Sequence, residues 1–169
     1  MASSNLLLSV ENLKIRVGDD GPLAVDDLSF SVAPGEIVAL VGESGSGKTM
    51  AARAAIGLLP PPMQVCGGRL EFQGRDLVTL DTAGLRAIRG ASIGMVFQEP
   101  MVSLNPALKI GQQMSEALQL HTDLDAGQIR ERCLTMLRRI GIKDAERCLQ
   151  AYPHQFSGGM RQRIMLASV

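Results

Sequence analysis

The chain has 169 residues, which is enough to bury a hydrophobic core and is ordinarily one domain. Its 17 basic and 17 acidic side chains cancel, and no basic run indicates a nucleic-acid partner. Its three cysteines are widely spaced and form no metal-binding pattern. The first residues lack the basic region of a signal peptide, and no apolar run is long enough to span a membrane. We therefore expect a cytoplasmic chain, unless a partner holds it at a membrane.

The N-terminal part of the chain predicts β-structure. Two β segments, at 6–17 and 25–32, flank a loop that is rich in glycine and aspartate. A third segment, Glu36–Val41, follows a Pro-Gly turn and is almost wholly apolar. Its length and composition predict a buried strand.

A glycine-rich loop follows this segment. This loop, called the phosphate loop below, consists of Gly42, Glu43, Ser44, Gly45, Ser46, Gly47, Lys48 and Thr49. It matches the pattern G-x-x-x-x-G-K-[ST], in which successive backbone N–H groups form an anion nest. Lys48 adds a positive charge for the β- and γ-phosphates of a nucleotide, and Thr49 offers a hydroxyl to Mg²⁺. The residues after the loop favour a helix, whose N-terminal end also attracts anions. Strand, loop and helix in this order predict a nucleotide site.

Beyond the loop, the hydrophobic periodicity changes to that of helices. Apolar residues recur at helical spacing over 110–121 and over 129–140, and Gly141 provides a C-terminal cap. The elements predicted between the loop and these helices are strands at 68–74 and 92–97 and a helix at 82–88. The pattern predicts a helical insert within an α/β chain.

A second glycine motif lies near the end of the sequence and consists of Ser157, Gly158, Gly159, Met160, Arg161 and Gln162. Ser157 is a favourable N-cap, and the two glycines expose backbone N–H groups at a helix start. An ordinary capped helix does not need two glycines there. The motif therefore predicts a second anion site.

Three blocks in order along the chain resemble the ATPase subunit of an ABC transporter. They are the phosphate loop, Phe97-Gln98-Glu99-Pro100 and Phe156-Ser157-Gly158-Gly159. The longer stretches 96–106 and 152–163 resemble the dipeptide, oligopeptide and nickel import branch. Phe156 stands where leucine is common in the family, and Met160 where glutamine is common.

The resemblance implies roles for the matching positions, with ATP and Mg²⁺ as cofactors. Gln98 would approach Mg²⁺ and the attacking water, and Thr49 would bind Mg²⁺. The six residues of the second motif would contact ATP held by the phosphate loop of another subunit. An adenine-stacking aromatic is expected near the end of the first strand, where this chain has Ile15, Arg16 and Val17.

The resemblance also implies a P-loop NTPase fold with an N-terminal antiparallel β subdomain and a helical subdomain. It divides the chain into a nucleotide-binding core at 1–99, an α-helical subdomain at 100–156 and the signature motif with its helix start at 157–169. The Walker B strand, the catalytic glutamate and the switch histidine would follow Val169. We therefore expect a C-terminally incomplete fold that binds nucleotide and turns it over slowly or not at all.

The implied partners are a second ABC ATPase subunit, identical or homologous, transmembrane permease subunits and, indirectly, a solute-binding protein. The chain would act peripherally on the cytoplasmic face of the plasma (inner) membrane, in uptake of peptides or a related solute such as nickel. One alternative is a nucleotide-binding fragment without turnover. Another is a cytosolic ABC ATPase acting on DNA or ribosomes, which the neutral charge and the lack of sustained heptads disfavour.

Overall fold

The computed structural model describes residues 6–97 and 104–169. Within it the chain divides into two compact units, Met1–Arg86 and Ala87–Val169. The domain boundary predicted between residues 99 and 100 lies outside the described residues and stays a prediction.

The first unit is built on a four-stranded antiparallel sheet with the strand order β2-β1-β3-β4. The strands are β1 (Leu8–Val17), β2 (Leu23–Val32), β3 (Met63–Phe72) and β4 (Arg75–Asp76). The two predicted N-terminal β segments are confirmed as β1 and β2. The strand predicted at 68–74 corresponds to β3. It begins earlier, at Met63, because its first residues pair with the end of β1.

A bulge in β1 turns an irregular apolar pattern into one buried face. Val10 and Leu13 are both buried although an odd spacing normally places strand residues on opposite faces. Asn12, between them, has a left-handed φ of 49°, and the pairing register shifts there. The Asn12 Nδ2 donates to Asp27 Oδ1 at 2.6 Å, and Asp27 on β2 has a φ of 56°. The two strands therefore bend together at one point of the sheet.

Helix α1 (Lys48–Ala55) covers the apolar face of this sheet. It packs against β1 and β2, and its buried residues are Ala51 and Ala54. Because alanine has only a methyl side chain, the helix backbone lies close to the strands. The start of the helix is thereby fixed relative to the sheet.

The second unit is helical. Its elements are the end of α2 (Thr82–Ile88), then α3 (Ile110–His121), α4 (Ala126–Arg139), α5 (Ala145–Gln150), a 3-10 turn (Pro153–Gln155) and α6 (Gly158–Ala167). The three predicted helices at 82–88, 110–121 and 129–140 are confirmed. One apolar cluster, which includes Ile110, Leu134, Leu137 and Ile164, joins α3 to α6.

Both ends of α4 are closed by local hydrogen bonds. At its start, Asp125 Oδ1 accepts from the Gln128 N–H at 2.9 Å, and Gln128 Oε1 accepts from the Asp125 N–H at 2.9 Å, which is a capping box. At its end, Gly141 has a φ of 81°, and the Ile142 N–H donates to the Leu137 carbonyl at 3.0 Å. This Schellman closure confirms the predicted cap at Gly141.

Two predicted strands are wrong. Residues 36–41 and 92–97 form no β-strand, and the pairing found there is an isolated bridge between Arg89 and Ile93. Ile37 and Val41 are 96% and 93% exposed instead of buried. An apolar run becomes a strand only where a neighbouring strand accepts its hydrogen bonds along its length, and among the described residues neither segment joins the four-stranded sheet.

No helix in residues 6–97 or 104–169 combines the length and apolar composition that crossing a bilayer requires.

The helical core makes a prediction about stability. Leu137 on α4 is fully buried, whereas Leu120 on α3 is 71% exposed. We expect Leu137→Ala to lower the free energy of unfolding by about 2–5 kcal/mol, because it leaves a cavity in the cluster. Leu120→Ala, the control, should change it by less than about 0.5 kcal/mol. Urea denaturation followed by circular dichroism measures both, and equal losses would contradict the assignment of the core.

Candidate nucleotide site

The phosphate loop connects the exposed segment 36–41 to α1 through two left-handed glycines. Gly45 has a φ of 85° and Gly47 a φ of 86°. Gly47 is the N-cap of α1, so the loop ends where the helix begins. The unpaired N–H groups of the first helical turn therefore follow directly on the loop. Most of the loop is exposed, which leaves its backbone accessible to an anion.

Lys48 folds back over the loop. Its Nζ donates to the carbonyl oxygens of Gly42 at 2.9 Å and Glu43 at 2.7 Å. It also donates to the Ser46 hydroxyl at 3.1 Å. A lysine ammonium has three N–H donors, so all of them are directed into the loop. The positive charge thus lies within the loop, beside the helix N-terminus.

Strand β2 passes directly under the end of the loop. A methyl group added at Gly47 would lie 2.5 Å from the Ala24 carbonyl oxygen and 2.7 Å from Val25 Cγ2. Both distances are shorter than a van der Waals contact, and the φ of Gly47 is itself unfavourable for other residues. Two independent constraints, the lack of space and the left-handed φ, therefore require glycine at this position. The contact with Ala24 and Val25 was not predicted, because no local pattern signals which distant residues a loop will touch.

Thr49 lies in the first turn of α1, next to Lys48, and is exposed. A hydroxyl in this place can serve as an oxygen ligand for Mg²⁺. Among the described residues, no group of three or more His, Cys, Asp or Glu forms a metal site. Gln98, the other predicted Mg²⁺ ligand, lies outside the described residues.

The second motif begins α6 in the predicted way, but the predicted capping hydrogen bond of the serine side chain is not formed. Ser157 is the N-cap, with extended backbone, and its side chain makes no capping hydrogen bond. The Arg161 Nε donates to the Phe156 carbonyl at 2.8 Å, and this bond ties the first helical turn to the preceding residue. Met160 packs against the apolar cluster, and Gln162 is exposed.

The two glycines of this motif are not required by the chain itself. Gly158 and Gly159 are exposed and helical, and a methyl group added at either would meet no atom within 4 Å. Glycine in a helix costs up to about 1 kcal/mol relative to alanine. The chain thus keeps two destabilising residues at an open helix start, in contrast to Gly47.

The expected adenine contact at the end of β1 has no aromatic ring. Ile15 is fully buried in the sheet. Arg16 points to the following turn, where its NH1 donates to the Asp19 carbonyl at 3.2 Å. The part of β1 that precedes the turn therefore offers an arginine and aliphatic groups rather than a stacking surface.

The contrast between the two glycine sites can be tested by one substitution at each. Gly47→Ala should lower the free energy of unfolding by at least about 1–2 kcal/mol, because it combines a left-handed φ with a collision against β2. Gly158→Ala should leave stability unchanged or raise it by up to about 1 kcal/mol. Urea denaturation of both variants checks this. Destabilisation by Gly158→Ala equal to that of Gly47→Ala would mean that the motif is needed for folding.

Comparison with known proteins places these motifs in one family. The family described as ABC transporter matches residues 25–169. The chain is 48% identical over 164 residues to the peptidoglycan transport ATP-binding protein YejF of Agrobacterium fabrum, covering 95% of the chain and 30% of that protein. It is 43% identical over 163 residues to the dipeptide transport ATP-binding protein DppD of Escherichia coli, covering 95% of the chain and 50% of that protein. The chain thus spans half or less of the length of these relatives.

Solved structures of ATP-binding cassettes support the same family assignment. A dimeric, post-hydrolysis form of the ATP-binding cassette MJ0796 bound to ADP and Pi superposes with a TM-score of 0.81 at 25% identity, covering 95% of this chain and 68% of that one. CbiO1 from Clostridium perfringens, part of the transporter complex CbiONQ, gives 0.75 at 26% identity, covering 98% and 61%. The likeness confirms the predicted ABC ATPase fold. Since the family match includes both glycine motifs, the chain belongs to the ABC transporter family.

Proposed function

We propose that the chain is the nucleotide-binding part of an ABC importer for peptides or a related small solute, with ATP and Mg²⁺ as its cofactors. The observation that carries the proposal is the phosphate loop, in which Lys48 lies over a glycine turn that opens directly into α1. The relatives named for peptide, dipeptide and peptidoglycan transport support the solute class.

The loop fits a nucleotide phosphate chain. Its backbone is exposed, its two left-handed glycines carry no Cβ, and the helix N-terminus adds partial positive charge. The Lys48 ammonium would exchange its contacts with the Gly42 and Glu43 carbonyls for phosphate oxygens. Thr49 would supply one oxygen to Mg²⁺, which neutralises phosphate charge when it is bound.

The signature residues 157–162 form the second half of the proposed site. Each unused N–H at the start of α6 is a donor for an anion, and nothing in this chain's own fold requires Gly158 and Gly159 to be small. We therefore assign the open helix start to ATP bound by a second ATPase subunit. The dimeric MJ0796 cassette is a relative in which two such subunits associate.

The remaining partners follow from the same assignment. Membrane permease subunits would hold the chain peripherally at the cytoplasmic face of the membrane, and a solute-binding protein would act through them. CbiO1, a structural relative, is part of such a multi-subunit transporter complex. Gln98 is assigned to Mg²⁺ and water from its sequence position alone.

The nucleotide assignment predicts a strong effect at Lys48. Lys48→Ala should weaken MgATP binding about 10- to 100-fold, because it removes a charge-assisted contact to phosphate. The control is Lys14→Ala, which removes the same charge from an exposed pair with Asp26 in the same unit. Isothermal titration calorimetry, under conditions in which ATP is not hydrolysed, measures the MgATP affinity of both variants. Unchanged affinity in Lys48→Ala would contradict the loop assignment.

The signature assignment predicts that binding and dimerisation separate. Gly159→Asp should leave ATP affinity of the monomer within about twofold, while it blocks ATP-dependent dimerisation by placing a carboxylate where phosphate must lie. An aspartate in a first helical turn favours the helix, so misfolding is not the expected cause. Light scattering in a hydrolysis-deficient background measures the dimer.

The control is Gly127→Asp, because Gly127 holds the same second position in α4; since its Cβ would lie 3.2 Å from Asp125 Oδ1, circular dichroism checks that this variant is folded. It should leave both binding and dimerisation intact. Loss of monomer binding in Gly159→Asp with dimerisation preserved would place the motif in the same site as Lys48.

A further inference from the structure

The helical unit has a surface groove that the proposed nucleotide site does not use. It lies between the Gly141 turn, α5 and the first turns of α6, and its volume is about 480 Å³. This is within the range of small-molecule sites, which is about 300–1,000 Å³. Its floor is apolar: Ile142 and Cys148 are buried, and Phe156 and Met160 are half-buried.

The floor is also uncharged at physiological pH. Burial raises the pKa of the Cys148 thiol to about 11, with a smaller contribution from the Asp144 carboxylate. The thiol therefore stays protonated and behaves as a small hydrophobic group. A ligand on this floor would meet apolar surface from both α5 and α6.

The rim of the groove carries three cations. They are Lys143, Arg147 and Arg163, and all three are exposed. Within residues 6–97 and 104–169, none of the three side chains pairs with a carboxylate.

Two other arginines of this unit are paired with carboxylates. Arg130 contacts Glu146, and Arg138 contacts Glu131. The acidic residue on the rim, Asp144, uses one carboxylate oxygen to accept from the Arg147 N–H at 3.1 Å, which caps α5. The rim therefore carries three cations against one carboxylate, a net charge of +2, although the whole chain has no net charge.

We propose that this groove binds a small amphipathic anion, in which an apolar body lies on the floor and a carboxylate or phosphate group meets the cationic rim. The apolar floor supplies hydrophobic burial, and the three unpaired cations select the sign of the head group. A cationic ligand of the same shape is disfavoured by the rim.

The position of the groove gives the ligand a route to the signature motif. Met160 and Arg163 lie on α6, the helix that starts after Ser157, whereas Arg147 and Cys148 lie on α5. An anion that contacts both helices ties the start of α6 to the rest of the helical unit. This consequence rests on the proposed function, while the binding itself does not.

The test uses three probes of the same shape and different charge: 4-phenylbutanoate, 4-phenylbutanamide and 4-phenylbutylamine. Each is titrated into the 169-residue chain with ¹³C-labelled methionine methyl groups, without nucleotide. The carboxylate should shift the Met160 resonance and leave that of Met114, a core residue that does not line the groove, in place. It should bind at least about threefold more tightly than the amide, and the amine should bind more weakly than both.

Two variants locate the site. Arg147→Gln should weaken 4-phenylbutanoate about threefold or more, and Ala151→Phe should block it by filling the groove. Arg139→Gln, the control, removes the same charge from an exposed residue nearby that does not line the groove, and should leave affinity unchanged.

Equal binding of carboxylate and amide, equal losses in Arg147→Gln and Arg139→Gln, or no Met160 shift with 4-phenylbutanoate would each overturn the proposal. Because the titrations contain no nucleotide, failure here leaves the proposed function untouched, and failure of Lys48→Ala to weaken MgATP leaves the groove untouched.

Discussion

The geometry of the phosphate loop depends on one contact, the close approach of β2 to Gly47. The Ala24 carbonyl and a Val25 methyl lie so near to the Gly47 Cα that only hydrogen fits between them. The loop is therefore held against the sheet at the residue where α1 begins. Because Ala51 and Ala54 also hold that helix close to the strands, sheet, loop and helix form one packed piece. An exposed loop of several glycines thus keeps a defined end.

The two motifs differ in the physical reason for having glycine at their key positions. Gly47 is fixed by contacts within its own unit, whereas Gly158 and Gly159 have open space where a side chain would lie. Natural helices rarely keep a residue that weakens them without a compensating gain. For the first motif that gain is the fold of the loop. For the second motif we propose that the gain comes from a group that approaches the helix start, which is why we assign the motif to a second subunit.

The elements that could be predicted from the sequence are those whose signals are local. Helical periodicity located α3 and α4, and Gly141 marked an end that depends only on the preceding turn. Residues 36–41 failed as a strand because a strand depends on partners that the segment itself does not encode. The bulge at Asn12 was equally hidden, since it depends on the left-handed Asp27 of the neighbouring strand. In the candidate site, the spacing of the residues predicted the phosphate loop, but nothing in the sequence predicted its contact with Ala24 and Val25.

The same distinction explains why the cationic groove was not foreseen. Charge summed over the sequence is zero, and Arg163 is distant along the chain from Lys143 and Arg147. They share a rim only because the Schellman turn at Gly141 places Lys143 near α5, and the Tyr152–Phe156 connection returns the chain so that α6 supplies Arg163. Asp144, which caps α5, keeps its negative charge and compensates one of the three cations. The local excess of positive charge is therefore a product of the fold, because two turns of the chain bring Lys143, Arg147 and Arg163 to one rim.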